Sequence, residues 1–315
     1  MTMVIKRHHT VPNFYLRNFA SSGARPTIGS VKLDDGKRVP QSTNDASVYK
    51  HFYSLDGHPE GADVFERAIS RLESDASIVI GKIINGTWPV SVEDRQTLGE
   101  FLVFQFLRGP DTRDSWSHLS SEVARMTIKV LGRDGVRRKL HDQGKPVVDE
   151  ALERLFEQVH ESDEPLLRMN AYGHINQMLE LVPKLLPYFV RRPWMLYRFE
   201  RKTLLTSDAP VSLVPDVRLN SPHPGVGLQN AWAISVPLTR RMGLLLGNPD
   251  PLIEDADEQE MVARGESTEG GAFDRELVPS VAMANLFNSQ ALSNAHKWVF
   301  HHPDDGELVP SDLWL

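Results

Sequence analysis

Arg192-Pro193-Trp194-Met195-Leu196-Tyr197-Arg198-Phe199 marks the point where the chain changes character. Downstream of it the apolar residues come in short runs bounded by turn formers and charges, the pattern of strands. Trp194 to Phe199 and Thr203 to Leu205 read as a strand pair around Glu200-Arg201-Lys202. Trp232 to Leu238 and Met242 to Leu246 read as a hairpin around Thr239-Arg240-Arg241. Upstream the period is helical. Phe65, Ile69, Leu72, Ala76, Val79 and Ile83 make one apolar stripe over residues 61–86. Gly86 and Pro89 stop that helix, and Ser91 with Asp94 three residues on starts the next. This second helix runs to Arg108, and its segment Phe101-Leu102-Val103-Phe104-Gln105-Phe106-Leu107 is apolar on nearly every side, so it is buried on more than one face. Gly109-Pro110 ends it.

Residues 115–190 read as further helices, including Glu150 to Val159 and Ile175 to Leu186, with breaks at Arg133-Asp134-Gly135 and Gln143-Gly144-Lys145-Pro146. Before the helices, residues 21–60 are turn-rich, with Val31 to Leu33 and Phe52 to Leu55 as short strands. After the hairpin, residues 248–275 are acidic through Glu254, Asp255, Asp257, Glu258 and Glu260, which predicts an exposed loop or short helix. Val278 to Phe300 reads as a helix, or a helix and then a strand, closing the fold. A run of helices followed by a run of strands predicts an α+β fold. Its N-terminal two thirds are mainly helical and pack on an antiparallel sheet built largely from the C-terminal third. One domain, 1–315, is expected, helix-rich over 61–190, strand-rich over 191–250 and closed by 276–315.

The chain has 315 residues, a formal net charge of -7 and no Cys. Thiolate metal sites, Cys nucleophiles and disulfides are therefore excluded. The acidic balance argues against a nucleic-acid coat, whose footprint is basic. No signal-peptide pattern and no transmembrane-length apolar run is read, so a cytoplasmic protein with no membrane partner is expected.

Near the N-terminus stand two adjacent imidazoles, His8 and His9, beside Lys6-Arg7. Neighbouring side chains diverge, so one of the two is expected to face a given site. Glu66 and Glu73 lie two turns apart on one helix face, roughly 10 Å along the axis, at the border of the apolar stripe. Each is either a ligand or base, or part of a solvated helix edge. Arg108 closes the most apolar helix and can act as a cap on the helix dipole or as a fork for an anion. Thr206-Ser207-Asp208-Ala209-Pro210-Val211 follows a strand, where Asp208 can form a turn or present a ligand. Ser207 lacks a nucleophile elbow, and the phosphate-loop, dinucleotide and zincin signatures are all missing. His301-His302 borders a turn and reads as surface.

Arg7-His8-His9-Thr10-Val11-Pro12-Asn13-Phe14-Tyr15-Leu16-Arg17-Asn18-Phe19 resembles the opening block of the bacterial family called domain of unknown function 4238, and Leu205 to Val211 resembles its second signature. Phe52-Tyr53, Phe65-Glu66 through Leu72-Glu73, Gln105 with Arg108 and Pro110, and Val236-Pro237-Leu238 resemble segments between and after them. The resemblance implies no activity. It does imply that His8 or His9, Glu66, Glu73, Arg108 and Asp208 belong to one site. Two functions suit that set. One is a metal-assisted hydrolase of an anionic, phosphate-ester-like small molecule. There His9, Glu66 and Asp208 would hold Mg, Mn or Zn, and Arg108 would clamp the anion. The other is a non-catalytic module that binds a ligand or partner, in which the same residues form a structural polar network.

Overall fold

Two long helices carry the upstream half of the core, and their ends follow from local chemistry. The computed structural model describes residues 7–161, 164–216, 226–249 and 257–311. The chain opens with strand β1 (Arg7–His9), then the short helix α1 (Asn13–Leu16) and a single 3-10 turn to Phe19. Strands β2 (Thr27–Lys32), β3 (Arg38–Ser42) and β4 (Val48–Lys50) follow. Helix α2 (Val64–Ile84) buries Phe65, Ile69, Ala76, Val79, Ile80 and Ile83. Helix α3 (Val92–Leu107) begins where the Ser91 hydroxyl accepts the Asp94 amide.

Downstream lie β5 (Trp194–Arg198), β6 (Thr206–Ser207), β7 (Ser212–Val214), β8 (Ala233–Thr239), β9 (Met242–Leu246), β10 (Arg275–Leu277) and β11 (Trp298–His301). Helices Glu258–Glu269 and Val281–Asn294 flank β10. The fold is α+β, and the strands among the described residues form three sheets. A five-stranded sheet has the order β10-β5-β9-β8-β7, with the β10–β5 pair parallel and the rest antiparallel. A four-stranded sheet, β3-β2-β11-β6, recruits its first two strands from the N-terminal region, and β1 pairs with β4.

The chain divides into two compact units, one made of residues 1–109 and 175–315, the other of 110–174. In the first, all five residues of β9 are buried because the large sheet is covered on both faces. Trp194, Leu196, Val236, Leu244 and Leu246 join α2 and α3 in one cluster, while Tyr197, Ala233 and Leu245 join Val11, Tyr15, Leu16, Phe19 and Phe287 in another. This alternation is the two-residue period of a strand. Gly243 leaves room for Phe287, whose Cζ would lie 2.5 Å from any Cβ there.

The second unit holds the helix Pro110–Asp142, bent at Gly132, with φ 62° and ψ 178°, and the helix Asp149–Glu161. The bend falls one residue before the break read at Arg133. Val136, Leu152 and Phe156 form its small core. Arg125 donates to the carbonyls of Gln158, Val159 and Glu164, and the Ser117 and Ser121 hydroxyls accept the amides of Met169 and Leu167.

Three sequence expectations need correction. Phe52 to Leu55 is not a strand: the strand stops at Lys50, and His51 takes a φ of 56°, which turns the backbone. Thr203 to Leu205 does not pair with β5, whose two edges are taken by β9 and β10. The Leu204 and Leu205 amides go instead to the Arg240 carbonyl and the Asn288 side chain. His301 is not at the surface. It is 6% exposed, its ring occupies the space that a Cβ at Gly29 would need, and His302 caps the following turn by accepting the Asp304 amide. Lys6, Glu254 and Asp255 lie outside the described residues.

Candidate functional site

The N-terminal block is anchored residue by residue, and Arg108 is the centre of the anchorage. Its Nε donates to the Thr10 carbonyl at 2.7 Å, its Nη2 to the His9 carbonyl at 2.6 Å and its Nη1 to Glu73 Oε1 at 2.7 Å. Gln105 Nε2 donates to the same Thr10 carbonyl at 2.9 Å. Helical spacing puts Gln105 and Arg108 on one face of the end of α3, so both reach the strand-like segment beside it. The Thr10 hydroxyl meets that of Ser47 at 2.5 Å, and the Arg7 guanidinium pairs with Asp45.

The two imidazoles of β1 point to opposite sides, as successive strand residues do. His8 is fully buried. Its Nδ1 accepts the Tyr53 amide at 2.7 Å and its ring stacks on Tyr53, ring centroids 5.8 Å apart. Tyr53 in turn donates its hydroxyl to the Arg108 carbonyl at 2.7 Å. His9 is half-buried, with Glu73, Arg108 and Arg7 as its charged neighbours. Burial is the main cause that holds its pKa below the usual histidine value. Glu73 and a backbone hydrogen bond to Ala46 oppose this, and the arginines reinforce it.

Glu66 sits on the same side of α2 as Glu73 and is also half-buried. Burial pushes its carboxyl up to about 7, against the pull of Arg108 and with the help of Glu73. Three side-chain atoms around this arginine are buried with no hydrogen-bond partner among the described residues: His9 Nδ1, Glu66 Oε2 and Gln105 Oε1. Buried polar atoms are nearly always paired, so each such group calls for an explanation.

Asp208 stands apart from this group. It is 1% exposed, and its carboxylate accepts the amides of His296, Lys297 and Trp298 at 2.9–3.0 Å. Burial raises its pKa to about 6 despite those three donors. The whole second signature has this clasping character. The Thr206 hydroxyl lies 3.3 Å from the Tyr15 hydroxyl, the Ser207 hydroxyl accepts the Ala209 amide, and Asn294 donates to the carbonyls of Ala209 and Val211. Tyr15 also donates to the Pro237 carbonyl, where β8 is irregular because proline has no amide to give the ladder. The second signature thereby ties the N-terminal block, the hairpin and the last strand together.

His9, Glu66, Glu73 and Arg108 are thus brought together, whereas His8 faces Tyr53 and Asp208 closes a loop. The ligand set His9, Glu66 and Asp208 is not assembled, and no group of three His, Asp or Glu side chains suited to a metal exists among the described residues. The donor set does not fit a bound divalent ion. A cleft of about 410 Å³, lined by Arg198, Arg201, Lys202, Val278 and Val281, contains none of the residues expected from the sequence. Thr10 and Ser47 were missed by sequence reasoning, since neither stands out by type or spacing. Gln105 carried a signal, as the one polar residue inside Phe101–Leu107.

No helix among the described residues is long and apolar enough to cross a membrane. No curated protein and no solved structure matches the chain. One family model does, over nearly its whole length, from residue 7 to residue 305, and the chain therefore belongs to the family described as protein of unknown function, DUF4238.

Proposed function

We propose that His9 and Glu66 form a metal-independent acid–base site that hydrolyses a small, polar, uncharged substrate. The observation that carries this reading is the pair of unpartnered buried atoms, His9 Nδ1 and Glu66 Oε2, beside one committed arginine. His9 and Glu66 share Arg108 and Glu73 as charged neighbours, and groups of one site whose surroundings push their pKa values in opposite directions mark acid and base assignments. Near neutral pH, Glu66 keeps its proton over a useful range because its pKa is about 7, and His9 is neutral because its pKa is lowered. His9 Nδ1 takes a proton from water as the water oxygen bonds to the electrophilic carbon. Glu66 gives its proton to the departing oxygen or nitrogen as that bond breaks. Loss of the proton from His9 to solvent and uptake of one by Glu66 reset the site. Gln105 Oε1 is an acceptor suited to orienting a donor on the substrate.

The substrate is read as uncharged because Arg108 is buried, its charge is met by Glu73, and three of its five N–H groups are already given to Thr10, Glu73 and His9. A panel of small esters, amides and phosphoesters, run with a metal chelator, tests the proposal. Turnover of neutral esters or amides, lost about 100-fold in both His9→Ala and Glu66→Gln with no sharp drop in melting temperature, is the expected result. A second reading, the structural network, is favoured by the grip of Arg108 on Thr10 and His9. Absence of turnover together with a sharp drop in melting temperature in both variants would establish it instead.

A further inference from the structure

We infer that the outer face of the helix Pro110–Asp142 is a self-association surface that pairs antiparallel with a second copy of this chain. Leu119, Val123, Met126 and Val130 are 54%, 56%, 64% and 87% exposed. Their spacings of four, three and four residues are those of a coiled-coil seam. The opposite face of the same helix, through Ser117, Ser121 and Arg125, is buried within the unit, so the helix is held with the apolar stripe turned outward. The bend at Gly132 ends the stripe. Four large apolar side chains in a row are more than the scattered exposure expected of a surface helix.

Charge selects the occupant. Glu122, which also pairs with Arg125 of its own helix at 3.2 Å, and Lys129 are both exposed and lie seven residues apart, on one flank of the stripe. The other flank carries the uncharged Ser120 and Thr127. In an antiparallel pair related by a two-fold axis, each flank meets its own copy, whereas in a parallel pair opposite flanks meet. Placing the axis between residues 124 and 125 sets Val123 against Met126 of the partner subunit, and Leu119 against Val130 of the partner subunit. Glu122 then stands about 3 Å, two residues' rise, from the level of Lys129 of the partner subunit. Symmetry repeats the ion pair. A parallel pair would set Glu122 and Lys129 against Ser120 and Thr127 and gain neither.

Sedimentation of the full chain between about 5 and 200 µM tests this inference, a range set by the modest size of the seam. The wild type should shift from monomer to dimer across the range, and Val123→Glu should stay monomeric throughout. Glu122→Lys alone and Lys129→Glu alone should each weaken the dimer about 10-fold, and the double exchange should restore it, since it rebuilds both pairs with reversed sign. All three substituted positions are exposed, and unchanged circular dichroism would certify that the variants fold. A wild-type chain that stays monomeric at 200 µM would overturn the inference, whatever else covers the face. So would a dimer that survives Val123→Glu, or a double exchange that fails to restore what the single exchanges remove.

Discussion

Two buried arginines hold this protein together, and they differ in what they leave over. Arg95 is 1% exposed and stacks over the Trp194 ring at 4.2 Å. It pairs with the fully buried Asp274 at 2.6 Å and donates to the carbonyls of Val190 and Arg192. Asp274 also accepts the Trp194 amide at 2.9 Å. None of its members has an unpartnered side-chain atom. Arg108 is equally buried and equally committed, yet His9, Glu66 and Gln105 around it each keep one unpaired atom. A closed polar network fixes a fold. An open one holds groups that cost stability and are kept for another reason.

The largest effect should come from breaking the closed network. Asp274→Ala leaves Arg95 charged and buried without its partner, at a cost of roughly 3–5 kcal/mol, measured by urea denaturation. Asp208→Ala comes next. It orphans the amides of residues 296–298, and a loss of roughly 2–4 kcal/mol is expected, with protease susceptibility appearing near the last strand. Either variant matching wild-type stability would erase the contrast between clasp and site.

The open network should respond with the opposite sign. The folded-state pKa of Glu66, about 7, lies above its ordinary value of 4.5. The folded protein therefore holds that proton more tightly, and stability falls as pH rises from about 4.5 through 7. Glu66→Gln should be neutral near pH 4 and stabilising by about 1–2 kcal/mol at pH 8, after discounting for partial exposure. His9 works in the other direction. Its lowered pKa means the unfolded chain takes the proton first, so its contribution is lost as pH drops below about 6.5. The smallest effect is that of His9→Ala at pH 7, within about 1 kcal/mol. A melt that drops by 10 °C or more would instead assign His9 to the anchorage.

The helical half was legible because its signals are local. The stripe from Phe65 to Ile83, the Ser91 cap and the stop at Arg108 all stand in the structure as the sequence reads. The β8–β9 hairpin was legible for the same reason. Strand partners were not, because pairing is set over long separations. Nothing near Thr203 announces that Arg240 and Asn288 will take its neighbours' amides. The candidate site's grouping around Arg108 was legible in part. His9, Glu66, Glu73 and Arg108 differ in type from the apolar faces they interrupt. Asp208 stood between two readings, turn former and ligand, because a carboxylate that caps three amides and one that binds a ligand look alike as a letter in a sequence.

The central claim is that the Arg108 network is a site rather than a clasp, and the unfolding free energy of Glu66→Gln against wild type at pH 8 tests it most directly. A Gln variant more stable by about 1–2 kcal/mol would show an ionised Glu66 held at a cost, as the open network requires. A Gln variant less stable than wild type would show that the Glu66 charge supports Arg108, and the network would then be structural.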